Sequence, residues 1–170
     1  MSAGELKIHL RPVVLPDDEA FLRRLYASRR EDLNALPLES AQLETLINIQ
    51  YDAQDRGYRA EFPTAEHLVV EVDGLAAGRY LIDRSRTNED WVIDIAVMHE
   101  YRGRGIASKI LTDSIAEARR AGKGLTLQVD PMNPALRLYL RLGGEVVHGD
   151  QTYLTLKWPV NEFVPGDPNA

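Results

Sequence analysis

Trp91-Val92-Ile93-Asp94-Ile95-Ala96-Val97-Met98, followed by Arg102-Gly103-Arg104-Gly105-Ile106-Ala107, decides how the chain is read. The first run is β-rich and apolar apart from Asp94, which predicts a central strand covered on both faces. The second is a glycine-rich turn that opens a helix. From Gly105 to Ala121 the residues Ile106, Ala107, Ile110, Leu111, Ile115 and Ala118 fall on one stripe, and Gly122 supplies a stop. Backbone N–H groups of the turn and the first helical turn converge, small residues let an anion approach, and the helix N-terminus adds partial positive charge. A bound pyrophosphate is the physical expectation. Arg102 and Arg104 can add charge-assisted hydrogen bonds. A Walker A site would need Gly-Lys-Ser or Gly-Lys-Thr here, and a dinucleotide fingerprint a third glycine where Ser108 stands, so both nucleotide readings lose ground.

Working outward, Leu125 to Asp130 reads as a strand; joined to the first by a helix, it must run parallel to it by a right-handed crossover. Upstream, His67 to Val72 and Leu75 to Asp83 flank Asp73-Gly74, a strong hairpin signal. Before them come a strand, Lys7 to Arg11, and a helix opened by Asp17 and Asp18 with Phe21, Leu22, Leu25 and Tyr26 on one stripe. A second helix spans Glu39 to Arg56 and stops at Gly57. Downstream, Asn133 is a candidate cap, Pro134 suits a first turn, and a helix from Ala135 to Leu142 ends at Gly143-Gly144. Glu145 to His148 and Tyr153 to Trp158 close the sheet as an antiparallel pair. One domain is expected over residues 1–158, with a proline-rich tail at 159–170.

Composition excludes several classes of function. With 44% hydrophobic and 27% charged residues the chain is ordinary for a globular protein. The net charge of −6 opposes a phosphate backbone, so no nucleic-acid partner is expected. No apolar run approaches the roughly 18 residues of a membrane span, and no cysteine is present, which suits a cytoplasmic protein without membrane contact. His67, His99 and His148 are too scattered to suggest a metal site.

Arg102, Gly105 and Ala107 after the strand Ile93 to Met98, with Asn133-Pro134-Ala135-Leu136-Arg137-Leu138-Tyr139 and Leu142-Gly143 further on, resemble the GNAT N-acetyltransferase superfamily over residues 5–158. The resemblance implies an α/β fold: a mixed, mostly antiparallel sheet of six to seven strands with a splayed central parallel pair, flanked by about four helices. It implies acetyl-CoA as acyl donor, with the backbone of Ile95, Ala96 and Val97 pairing with the pantetheine arm and polarising the thioester. Gly103, Arg104, Gly105, Ile106, Ala107 and Ser108 would hold the pyrophosphate together with Arg102, and Asn133 and Tyr139 would flank the thiol. Gly144 departs from the family, which usually has an aromatic residue there; a local packing gap or a widened acceptor side is expected.

The activity implied is transfer of an acetyl group to a primary amine of a small molecule, peptide N-terminus or lysine, by direct attack in a ternary complex. Tyr139 matches the family's general acid for the departing thiolate. The family often places a glutamate base where Trp91 stands, so Asp90 and Asp94 are the candidates for removing the amine proton, directly or through water. Strand alternation puts Asp94 on the face opposite Trp91, which counts against it, and a structural aspartate is an equal reading. On the acceptor side, Tyr51, Tyr58 and Phe62 with Asp52, Asp55 and Glu61 could shape a cationic-amine pocket or form an ordinary solvated face. A homodimer through the closing strands is expected. The rival function is a non-catalytic acyl-CoA-binding sensor or partner-binding module, suggested by the missing glutamate.

Overall fold

The computed structural model describes residues 6–160; most of the expected tail lies outside the described residues. The element order is β1 (Ile8–Pro12), α1 (Glu19–Ser28), α2 (Glu31–Asn34), α3 (Ser40–Glu61), β2 (Glu66–Val72), β3 (Leu75–Asp83), β4 (Glu89–Val97), a 3-10 turn (His99–Tyr101), α4 (Ile106–Arg120), β5 (Gly124–Val129), α5 (Leu136–Arg141), β6 (Glu145–Gly149) and β7 (Leu154–Trp158). The seven strands run in the order β1-β2-β3-β4-β5-β7-β6. β4 and β5 are parallel, as a helical crossover requires, and β7 is antiparallel to both β5 and β6. This is the mixed α/β architecture expected, with five α-helices where about four were anticipated. No helix among the described residues is long and apolar enough to cross a membrane.

The framework divides into two compact units, one comprising residues up to Leu81 with Asp94–Ile106, the other Ile82–Ile93 with Ala107 onward. In the first, the α1 stripe is buried as its periodicity demands: Phe21, Leu22, Leu25 and Tyr26 form one core cluster with Leu33, Ile47, Tyr51, Val69 and Ala96. Each buried leucine, isoleucine, valine or phenylalanine among them contributes about 1.5–3 kcal/mol by leaving water. α3 does not stop at Gly57 but continues to Glu61. A single glycine costs a helix only about 1 kcal/mol, and Tyr58 just beyond it gains a packing role beneath the Arg79 guanidinium, 5.6 Å from its ring centre. In the second unit, Ile110, Leu111, Ile115 and Ala118 of α4 are buried, as are Leu125, Leu127 and Val129 of β5 and Leu156 and Trp158 of β7.

Asp18 stands at the N-cap position of α1 but makes no capping bond. Its carboxylate instead accepts both Arg11 terminal nitrogens at 2.7 Å and the Val14 N–H at 2.8 Å, while Arg11 Nε reaches Glu71 at 2.6 Å. The Arg11 hydrogen bonds hold the Asp18 carboxyl below the usual carboxylate range against the opposing effect of burial. A depressed carboxylate stabilises the fold above its unfolded value and loses that contribution as pH falls through the folded one. Asp18→Asn should therefore lose about 2–3 kcal/mol at neutral pH, with the gap to the parent closing below about pH 4, as denaturant unfolding at two pH values would show. A gap constant with pH would mean that the ion pair is not its source.

Candidate active site

On one edge β4 is bonded to β3, and just beyond it the Met98 N–H donates to the Ala77 carbonyl at 2.8 Å. On the other, its ladder with β5 runs from Glu89 opposite Gly124 to Val92 opposite Leu127. Among the described residues the ladder goes no further, although β4 continues to Val97. The segment carrying Ile95, Ala96 and Val97 thus runs beyond its ladder with β5, which leaves backbone groups on that edge for other partners.

From Val97 the chain passes through the 3-10 turn into two left-handed glycines, Gly103 at φ 73° and Gly105 at φ 78°, before α4 begins at Ile106. An L-residue adopts this conformation only at a cost, so both glycines are dictated by the backbone. A Cβ at either would meet no atom within 4 Å, so the space above the turn is open. Ile106 is buried and anchors the first turn of α4, whose leading N–H groups, including those of Ala107 and Ser108, have no intrahelical acceptor. That turn carries no acidic residue. Arg102 and Arg104 are exposed; Arg102 Nε donates to the Val97 carbonyl at 3.2 Å, and Arg104 lies 5.3 Å from the Tyr101 ring centre. The arrangement is a cationic turn of N–H donors, suited to a polyphosphate.

Both candidate carboxylates are already engaged. Asp94 accepts Arg79 Nη2 at 2.6 Å and Nε at 3.1 Å, and Arg29 Nη1 at 3.1 and 3.2 Å. Arg79 also donates to Gln54 at 3.1 Å. Burial, reinforced by the Asp94 charge, pushes the neighbouring Tyr58 phenol up. Asp90, 3% exposed, accepts from Arg84 at 3.1 Å and Lys123 at 3.2 Å. Sequence reading missed all four cations, since nothing local in the chain links Arg29 to Asp94 or Lys123 to Asp90. It also missed Glu89, which accepts the Thr126 hydroxyl at 2.6 Å and Lys157 at 3.0 Å. Burial pushes Glu89 up, but these two bonds and the nearby charges prevail and hold it below the usual carboxylate range. Trp91, on the same face of β4, lies under the Arg86 guanidinium at 4.3 Å.

Tyr139 is 6% exposed on α5. Asn133 does not cap that helix; its side-chain oxygen accepts the Ala135 N–H at 2.9 Å, an Asx-type turn that delays the helix to Leu136.

The model of the Acetyltransferase (GNAT) family matches residues 22–144. The chain belongs to the GNAT acetyltransferases. No curated protein sequence matches it. Among solved structures, the PaiA N-acetyltransferase of Thermoplasma acidophilum in complex with coenzyme A is similar at 15% identity and TM-score 0.65, with 89% of this chain and 98% of that one covered. An acetyltransferase from Thermus thermophilus is 18% identical with TM-score 0.63, covering 90% and 97%. The putative acetyltransferase YncA of Salmonella typhimurium with acetyl-CoA is 19% identical with TM-score 0.56, covering 95% and 99%. At these identities the likeness is one of fold.

Two expectations attached to this GNAT chain are revised by its own packing. Gly144, where the family usually has an aromatic residue, leaves no gap: a Cβ there would lie 2.7 Å from the Trp158 ring and 3.0 Å from the Tyr139 carbonyl. The Trp158 indole fills the space and donates to the Leu142 carbonyl at 2.9 Å. Of the three acids foreseen for a cationic-amine pocket around α3, two are already paired, Asp52 with Arg23 and Asp55 with Arg59, each at 2.7 Å. Tyr51 is buried in the core, with Arg23 4.8 Å from its ring centre.

Proposed function

We propose that this GNAT chain is an acyl-CoA-dependent N-acetyltransferase that passes an acetyl group from acetyl-CoA to a primary amine by direct attack in a ternary complex. The observation that carries the reading is the open turn with two left-handed glycines at the head of α4, continuous with the β4 edge that β5 leaves unpaired. Gly103 to Ser108, aided by Arg102 and Arg104, would take the pyrophosphate, and the backbone of Ile95 to Val97 would pair with the pantetheine arm. A backbone N–H aimed at the developing oxyanion is worth about 3 kcal/mol of barrier.

The amine nitrogen forms the new bond to the thioester carbonyl carbon, the C–S bond breaks, and the thiolate takes a proton, in this reading from Tyr139. A phenol with pKa about 10 holds its proton at neutral pH and can donate it. The amine proton leaves through water, because Asp90 and Asp94 each already accept from two cations. A cytoplasmic homodimer fits the same reading, and β6 supports it: all five of its residues are exposed, with Val146 and Val147 half in solvent.

The test is a screen of small amines, amino acids and N-terminal peptides against acetyl-CoA, with release of free thiol as the readout. Acceptor-dependent thiol release is expected. Tight CoA binding with no turnover on any acceptor would replace the transferase by a CoA-binding module.

A further inference from the structure

We infer that the acceptor is a small molecule carrying a carboxylate as well as its amine, and that Arg29 binds the carboxylate. This rests on the transferase reading and adds the substrate class. Arg79 and Asp94 form an electrically complete pair, with side-chain exposures of 5% and 9% and a contact of 2.6 Å. Gln54 and the Tyr58 ring hold Arg79 from its other sides. Arg29, the C-cap residue of α1, is added to a carboxylate that has already been neutralised. It approaches with Nη1 alone, and its Nη2 and Nε have no acceptor among the described residues.

Two guanidiniums on one carboxylate leave a surplus positive charge, carried by the more exposed partner, whose side chain is 34% accessible. Asp32 is paired with Arg30, Asp52 with Arg23 and Asp55 with Arg59, and no acid other than Asp94 is bonded to Arg29 among the described residues. A partly desolvated guanidinium with two free nitrogens in its fork is matched by a carboxylate, which it can hold bidentately. A cationic polyamine would be repelled by the same charge. Asp94 directly precedes Ile95 in β4, so it tethers Arg29 beside the segment proposed to hold the thioester. A carboxylate docked there would leave the amine of the same small molecule near the acyl carbon.

The experiment compares L-amino acids with their own carboxamides as acceptors, in the parent protein and in Arg29→Gln and Arg29→Lys. The parent should favour the carboxylate member by about tenfold to a hundredfold in kcat/KM, the range expected of a hydrogen-bonded charge. Arg29→Gln should bring that ratio close to one, mainly through KM of the carboxylate member, and Arg29→Lys should restore part of it. Unchanged melting temperatures would show that the variants are folded. Equal use of acid and amide by the parent, or a preference that survives Arg29→Gln, overturns this inference and leaves the transferase standing. Absence of transfer to every member overturns this inference alone if the wider screen of amines and peptides releases thiol; no thiol release in that screen either, with CoA still bound in a calorimeter, removes the transferase reading and this inference with it.

Discussion

Gly105→Glu should weaken CoA binding about a thousandfold without unfolding the protein. A Cβ built at Gly105 meets no atom within 4 Å and the position is exposed, so a glutamate enters open space and not the core. That room is where the pyrophosphate is proposed to sit. Two like charges about 4 Å apart near a protein surface repel by about 4 kcal/mol, and this is a factor of about a thousand in affinity. The substitution has a second effect, because Gly105 sits at φ 78° and any L-residue there costs about 1–2 kcal/mol. Gly105→Ala carries that strain alone, so the difference between the two variants isolates charge and bulk. Calorimetric titration with CoA is the measurement. An affinity for CoA in folded Gly105→Glu equal to that of Gly105→Ala would take the pyrophosphate away from this turn.

Tyr139→Phe should lower kcat about a hundredfold or more while CoA affinity stays close to that of the parent. The ring is buried on α5 and phenylalanine keeps its bulk, so the change is confined to the hydroxyl. If that hydroxyl protonates the thiolate as the C–S bond breaks, it acts in the transition state and not in the ground state, and kcat falls with little change in KM. The loss should shrink with an acyl donor whose thiol is more acidic, because a better leaving group needs less help. Full kcat in the Phe variant on the best acceptor would assign that proton to water.

The stretch around β4 and α4 was legible because its signals are local. A β-rich run, two glycines and a helical stripe lie close together in the chain, and each follows from near-neighbour sterics and burial. The seven strands and their parallel pair follow from that stretch and the turn signals around it. What escaped was non-local. Nothing near Asp94 in sequence identifies Arg79 and Arg29 as its partners, and only the folded sheet and α1 bring the three together. Trp158 gave no sign that it would occupy the place of the aromatic residue absent at Gly144, since one is on β7 and the other follows α5. The four-residue α2 is too short to carry a period, and α3 runs through Gly57 because tertiary packing on Tyr58 outweighs the local penalty.

The indole that closes the gap at Gly144 also gives the molecule an optical handle. The chain contains two tryptophans, and their surroundings differ sharply. Trp158 is 1% exposed and bonded to the carbonyl of Leu142, the residue that ends the helix bearing Tyr139. Trp91 is half-buried under a guanidinium. With Trp91 replaced by phenylalanine, the remaining emission comes from one buried, hydrogen-bonded site at the foot of α5. Changes in its intensity or colour on adding ligand would then report the movement of that helix without any attached label.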